Sequence, residues 1–344
     1  MASHRRPKKP SRARATVLTT AAAAAVAISA QAADAAPSAK PSKDEVKSKV
    51  DKLYEEAEQA TEKYNGAKEK QEQLQKEIST IQDNVARGQQ ELNKLRDGIG
   101  SMAAGQYRSG GIDPSIQLFL SSDPDDYLDR ASTLNQVSGQ QADALKTIQD
   151  KQRQLAQQRA EATAKLKDLA ATRTELGAKK KEVQGKLAEA RHLLDSLTAK
   201  EKADLETAEQ GRATRGTDRA AIGRITPGTG RAGAAFAAAQ SKIGSPYVYT
   251  HTGPSSFDCS GLTSWAYAQA GVTIPRTSEA QATIGQRIYS QSQLQVGDLV
   301  FFYGDLHHVG LYAGNGTVLH APHSGAFVRY EAMGDMPFQF GVRV

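Results

Sequence analysis

The chain has 344 residues, enough for two domains, with 39% hydrophobic and 24% charged residues and a mean hydropathy of −0.54. Its formal net charge of +6 is concentrated at the start: residues 1–35 hold six Lys and Arg against one acidic residue, leaving 38 against 37 beyond them. That balanced remainder excludes the basic footprint of a nucleic-acid binder, and a single cysteine, Cys259, excludes an internal disulfide framework.

Residues 1–35 read as a secretory signal: a basic segment (1–14), an alanine-rich apolar stretch (15–30), then small-residue cleavage options after Ala32 or Ala35. Arg5-Arg6 is followed by Pro7-Lys8-Lys9 rather than by the apolar residues of the twin-arginine route, which favours general secretion. The stretch is too short and too weakly apolar to span a bilayer, and no other segment reaches the length needed. The mature chain is therefore expected outside the cytoplasm, with no transmembrane segment. Residues 36–45 form a spacer.

From residue 46 apolar or small residues recur in alternating steps of four and three: Val46, Val50, Leu53, Ala57, Ala60, Tyr64, Ala67, then on through Leu74, Ile78, Ile81, Val85, Leu92, Leu95 and Ile99 to Met102. This is a heptad register with two soft positions, Gln71 and Gly88. It stops at Ser109-Gly110-Gly111-Ile112-Asp113-Pro114, where glycine and proline end helices. A second register runs through Leu145, Ile148, Leu155, Ala162, Leu166, Leu169, Leu176, Val183, Leu187, Ala190, Leu194 and Leu197, with Gln152, Arg159, Arg173 and Lys180 weakening its seam. The simplest arrangement for residues 46–205 is an antiparallel coiled-coil hairpin with its tip near 108–126; parallel self-association of one arm is the competitor. The apolar Ile116, Leu118, Phe119 and Leu120 at the tip form either a local cap or a docking surface. Charged positions along the arms read as solvated faces. Residues 206–230, rich in Gly, Thr, Arg and Pro, read as a flexible linker.

Residues 231–344 read as an α+β domain: short helices at 234–243, 259–270 and 277–284, then strands at 298–303, 308–313, 317–321, 326–331 and 339–344. Cys259 opens a helix, where the positive end of the helix dipole favours a thiolate. Gly314-Asn315-Gly316 predicts a hairpin turn. His308 and His320, an even number of residues apart on its two strands, should share one sheet face, directly opposite or one diagonal step apart. A thiol, an imidazole to take its proton and a second imidazole to fix the first ring's tautomer are the parts of a cysteine hydrolase. The chemistry requires that thiol to be ionised beside the ring and open to a groove. The blander alternative makes the three residues ordinary core members. His307 has the wrong parity to share a face with His320, and His251 and His323 read as loop residues. With neither HExxH nor a second cysteine, no metal or other cofactor is expected.

Gly244-Ser245-Pro246-Tyr247, Gly253-Pro254-Ser255-Ser256-Phe257-Asp258-Cys259-Ser260-Gly261-Leu262, Ile274-Pro275-Arg276-Thr277-Ser278 and Gln281 resemble the NlpC/p60 family of cell-wall peptidases. So do Leu294-Gln295-Val296-Gly297-Asp298-Leu299-Val300-Phe301-Phe302, His308-Val309-Gly310-Leu311-Tyr312-Ala313-Gly314 and Leu319-His320-Ala321-Pro322. The resemblance covers 231–344 and implies a papain-like fold and an endopeptidase that cuts peptidoglycan stem peptides between D-γ-glutamyl and the diamino acid. By position it makes Cys259 the nucleophile, His308 the base and His320 the third member. It also places Tyr247, Asp258, Ser260 and Arg276 along the substrate groove. One departure is Tyr249-Thr250-His251 where the family commonly has Trp-Gly-Gly, so the loop before Cys259 is bulkier. The helical arms resemble the hairpins of secreted division hydrolases, some of which dock on an FtsE–FtsX membrane complex and some of which block the active site until released. Two functions follow: a secreted peptidoglycan hydrolase, with control by occlusion, or a coiled-coil adaptor whose C-terminal domain binds wall without cutting it.

Overall fold

A computed structural model describes residues 42–108, 116, 124–222 and 230–344. The predicted export signal, most of the predicted spacer, and residues 109–115 and 117–123 of the predicted hairpin tip lie outside the described residues, and Ile116 between them is exposed. Helix α1 (Lys43–Arg108) begins with reciprocal capping: Ser42 N–H donates to Glu45 Oε2 at 2.9 Å, and Glu45 N–H to Ser42 Oγ at 3.3 Å. Helix α2 (Pro124–Asp195) packs along it. Three ion pairs fix their relative direction: Glu56 with Lys186 and Glu77 with Lys165, both at 2.6 Å, and Glu91 with Lys151. From the first pair to the second is three heptads up α1 and three down α2; the next step is two heptads each way. The two helices are an antiparallel hairpin in heptad register.

On α1 the seam is the expected one as far as Leu92, with Val46, Val50, Ala57, Ala60, Ala67, Leu74, Ile78, Ile81 and Leu92 all buried, but its last expected member, Met102, is 45% exposed. Gly88 has a specific reason to be there: a Cβ on it would lie 2.8 Å from Leu155 Cδ2, so Leu155 occupies the space a side chain would take. On α2 one stripe, Ile148, Leu155, Leu169, Val183 and Ala190, is buried as expected. The second predicted stripe is displaced by one residue. Leu166 is 48% exposed, and Lys151, Lys165 and Lys186 face α1 instead. A lysine can lay its methylenes along an apolar seam while its ammonium reaches a glutamate, which a hydrophobicity pattern cannot register.

Helix α3 (Ala199–Ile222) corrects the predicted linker, since 206–222 continues as helix. Its start is a second capping box: Thr198 N–H donates to Glu201 Oε2 at 2.8 Å and Glu201 N–H to Thr198 Oγ1 at 3.3 Å. Residues 223–229 lie outside the described residues. The α3 helix packs on strand β5, so residues 42–344 form one unit.

The C-terminal part carries helices α4 (Arg231–Gln240), α5 (Cys259–Gln269) and α6 (Ser278–Gln281), then six strands. These are β1 (Gln286–Ile288), β2 (Leu299–Phe302), β3 (His308–Gly314), β4 (Thr317–His320), β5 (Arg329–Ala332) and β6 (Phe338–Arg343), in one antiparallel sheet of order β1-β6-β2-β3-β4-β5. Only β1 was not predicted; at three residues, two of them polar, it has no alternation to read. Alternation sorts the other strands onto two faces. Phe301, Val309, Leu311 and Leu319 join Phe236, Leu262 and Tyr267 in one core, and Val300, Phe302, Val318 and Met333 form the other. The multidomain expectation, a helical hairpin followed by an α+β domain, matches this architecture. Among the described residues no helix is long and apolar enough to cross a membrane.

Candidate active site

Asp258 caps α5, its Oδ1 accepting from Gly261 N–H at 2.7 Å, and so sets Cys259 in the first turn. Gln281 fixes the same turn from outside, donating to the carbonyls of Ser260 and Pro275 at 3.0 and 2.9 Å and accepting from Thr263 Oγ1 at 2.7 Å. Arg276 bridges the turn's acids and hydroxyls: its Nη2 reaches Asp258 Oδ2 at 2.5 Å and its Nη1 reaches Ser260 Oγ at 2.7 Å. Tyr247 is buried beside these groups, and burial with the negative charges around it pushes its hydroxyl well above the usual range.

The two histidines meet as the strand geometry requires. Leu311 pairs with Leu319 across β3 and β4, which puts His308 one diagonal step from His320, and His308 Nε2 lies 2.7 Å from His320 Nδ1 with the rings edge to face. Gly310 lies between them in β3; a Cβ there would come within 2.4 Å of Val318 and 3.0 Å of the His320 Cβ, so only glycine lets the strands close up. The sequence-predicted Cys259, His308 and His320 are thus brought together. A ring nitrogen of His308 and the Cys259 sulfur fall within 4.8 Å of each other. His307 turns elsewhere, with Nδ1 on Asp305 and its ring stacked on Tyr303 at 4.3 Å. His251 bonds Ser256 at 2.7 Å, and His323 stacks on Tyr54 at 4.9 Å.

One expectation fails. The Cys259 thiol is not open to a groove: it is 1% exposed, and burial followed by the charges of Glu58 and Glu62 raises it well above the usual thiol range. Those glutamates come from α1. Glu58 Oε1 sits 2.5 Å from His308 Nδ1, and Glu62 Oε1 accepts from Ser260 Oγ at 2.7 Å. The other oxygen of Glu62 accepts from Ser278 N–H at 2.7 Å and from Ser278 Oγ at 3.0 Å. Asn65 Nδ2 donates to Asp258 Oδ2 at 3.1 Å. The charged face of α1 here is therefore buried, not solvated as expected, with Glu58, Glu62 and Asn65 all at 6% exposure or less.

The electrostatics agree with an ion pair at the centre. Burial opposes charging either partner, yet the attraction between Glu58 and His308 outweighs it, lowering the carboxyl and raising the imidazole. Glu62, with no cation as close, is pushed up to about 7 by burial and by the charge of Asp258. His320 is lowered to about 4 by burial, against the pull of Glu331, whose own carboxyl is lowered by its bond to His320 and by Arg329 despite burial. Glu58, Cys259 and His308 offer oxygen, sulfur and nitrogen within 4.8 Å, a donor set that could hold a divalent metal. Beside the histidines a cavity of about 660 Å³ is lined by Tyr54, Tyr303, His308, His320, His323 and Glu331, among others.

Sequence reasoning missed Glu58, Glu62, Asn65, Ser278 and Glu331. One signal was present: Ala57, Ala60, Thr61, Gly66 and Ala67 make 57–67 rich in small residues, with Glu58, Glu62 and Asn65 spaced along one helical stripe. Small residues let a second surface approach a helix already packed on one side.

Residues 244–339 match the NlpC/P60 family. A "Probable endopeptidase" of Corynebacterium glutamicum is 49% identical over 124 residues, 36% of this chain and 58% of that protein. A "Probable endopeptidase p60" of Listeria seeligeri is 47% identical over 98 residues, 28% of this chain and 18% of that protein. The crystal structure of the NlpC/p60 domain of peptidoglycan hydrolase SagA is 34% identical, covering 33% of this chain and 98% of that one, with a TM-score of 0.31. The chain spans about half the length of the first of these curated relatives.

Proposed function

The C-terminal domain of this chain belongs to the NlpC/P60 family, and from that premise we propose that the protein is an exported cysteine endopeptidase that cuts peptidoglycan stem peptides and is held closed by its own α1. The observation that carries the reading is the convergence of Cys259, His308 and His320 from one helix start and two adjacent strands.

In the closed state His308 Nδ1 is engaged by Glu58. Withdrawal of α1 frees that nitrogen to take the Cys259 proton. The thiolate attacks the scissile carbonyl, and main-chain N–H groups at the start of α5 stabilise the tetrahedral oxyanion. His308 returns its proton to the departing amine. Water, deprotonated by the same ring, then releases the acyl half and restores the thiol.

The contacts of Glu62 favour a particular substrate. Its carboxylate is held by Ser260 Oγ and by the N–H and hydroxyl of Ser278, with Arg276 alongside. A pocket that holds a carboxyl group one residue from the nucleophile suits a substrate with a free carboxyl group a few bonds from the scissile carbonyl. A γ-linked D-glutamyl residue keeps its α-carboxylate free there, so the bond to the diamino acid is the proposed cleavage site. Asp258 and Tyr247 complete that wall of the groove.

Muropeptide mass spectrometry after digestion tests both halves: the expected products end at D-glutamate and begin at the diamino acid. Cys259→Ala and His308→Ala should each abolish their release. Equal release by wild type and Cys259→Ala would overturn the reading. The sealed thiol also favours the adaptor alternative, in which the domain only binds wall; restoration of a deletion strain by Cys259→Ala would select it.

A further inference from the structure

The hydrogen-bond chain does not end at His320. His320 Nε2 lies 3.2 Å from Glu331 Oε2, and Arg329 donates to the same oxygen through Nε at 3.1 Å and Nη2 at 2.9 Å. All three side chains are buried, at 2%, 6% and 8% exposure. The remaining Arg329 nitrogen, Nη1, reaches Glu209 of α3 at 3.0 Å, so the guanidinium is anchored on two sides.

We propose that Glu331 is a positioning residue that sets the protonation pattern of both histidines and thereby decides which nitrogen of His308 can act as the base. The inference rests on the cysteine-peptidase reading and extends it by one residue.

The argument is a count of donors and acceptors. A carboxylate oxygen that already accepts from Arg329 can only accept from His320, so the hydrogen of His320 sits on Nε2. Burial keeps His320 neutral, and a neutral imidazole has one hydrogen, so its Nδ1 is bare. A bare Nδ1 at 2.7 Å can only accept, so His308 Nε2 carries the hydrogen between the rings. The one nitrogen of His308 left for proton exchange is Nδ1. That is the nitrogen now facing Glu58.

Without the carboxylate, His320 is free to place its hydrogen on Nδ1. Two N–H groups would then confront each other across 2.7 Å, and His308 would be driven to the tautomer with hydrogen on Nδ1, which cannot accept a thiol proton. Loss of a carboxylate that directly orients a catalytic histidine can cost about 10⁴-fold in kcat. One ring further away, the expected loss is about 10–100-fold.

The test uses the full chain with ¹⁵N-labelled histidine. In unmodified protein the side-chain NMR spectrum should show His320 neutral, with hydrogen on Nε2 and a bare Nδ1. Glu331→Met, close in length but without an acceptor, should scramble or invert that tautomer, whereas Glu331→Gln, whose amide oxygen can take the place of Oε2 and accept from both Arg329 and His320, should preserve it. In a full chain carrying Glu58→Ala and Glu62→Ala to loosen α1, adding Glu331→Met should lower kcat about 10–100-fold with KM changed less than threefold, while adding Glu331→Gln should change kcat far less. Glu331→Asp should recover part of the loss. Hydrogen on Nδ1 of His320 in the unmodified protein overturns the proposal with no variant needed, and so does a folded Glu331→Met chain that keeps the wild-type tautomer and kcat. Failure of the peptidase reading itself would look different: Cys259→Ala would match wild type while the tautomer result stood.

Discussion

Replacing Glu58 by alanine should convert the full chain from a closed to a partly open enzyme. Glu58 is 6% exposed and forms the only ion pair from α1 to His308 among the described residues. Removing one member of a buried ion pair costs about 3–5 kcal/mol, because the other charge is left uncompensated. In the closed state that other member is His308, which can shed its proton instead, so the lower end, about 3 kcal/mol, is the better figure. It corresponds to roughly a 150-fold shift in the ratio of open to closed protein. Glu62, Asn65 and the Tyr54–His323 stack still hold the helix, so opening stays incomplete. The expected gain in kcat/KM is therefore between about 10-fold and 150-fold. The assay is release of new amino groups from purified peptidoglycan by full-length wild type, Glu58→Ala and Glu58→Ala/Cys259→Ala, with folding checked by circular dichroism. A Glu58→Ala chain that is folded and no more active than wild type would refute the claim that this contact holds the site shut.

The pH dependence follows from the same groups. Glu62 is raised to about 7 in the closed state, so closure takes up a proton there; its favourable share is complete below the ordinary carboxyl range and lost as pH rises through about 7. His308, also raised, acts in the same direction, while the lowered Glu58 weakens closure only at acidic pH. The ratio of full-length to Glu58→Ala/Glu62→Ala activity should therefore rise between pH 6 and 8, measured as kcat/KM on one substrate; a flat ratio would contradict the assignment. In the hairpin, Leu155 is 3% exposed and fills the space above Gly88. Leu155→Ala should cost about 2–3 kcal/mol, near the low end for a buried leucine because a two-helix seam can collapse, and should lower Tm in a thermal melt. An unchanged Tm would show that this part of the seam contributes little.

Much of this fold was legible because its signals are local. The α1 seam from Val46 to Leu92, the hairpin at Gly314-Asn315-Gly316 and the parity of His308 and His320 each follow from a period or a turn residue within a few positions. Misreadings occurred where a long side chain or a distant partner decides the outcome. Lys151, Lys165 and Lys186 lie on the seam because Glu91, Glu77 and Glu56 are there to meet them. Residues 206–222 stay helical because Thr198 and Glu201 cap a fresh helix that packs on β5, and composition alone does not reveal that packing. Glu58 and Glu62 look solvated for the same reason: their partners are about 200 to 250 residues away in the chain. Glu331 is a strand residue of ordinary pattern until Arg329 and His320 are placed around it.

If occlusion and substrate recognition use the same groups, as the proposed function has it, a kinetic signature follows. Glu62 occupies Ser260 and Ser278, and Asn65 occupies Asp258, so on the proposed reading a stem peptide is excluded while α1 is in place. In that case α1 is an intramolecular competitive inhibitor, present at an effective concentration set by its tether. When opening is fast relative to turnover, such an inhibitor multiplies KM by one plus the closing constant and leaves kcat alone. The variants that loosen α1 should then lower KM and hold kcat constant, with substrate at saturation erasing the difference from wild type. Steady-state kinetics on a soluble stem-peptide series measures this directly. A rise in kcat at unchanged KM would mean that α1 instead distorts the catalytic groups while leaving the groove free, and the shared contacts of Glu62 would lose the meaning given to them here.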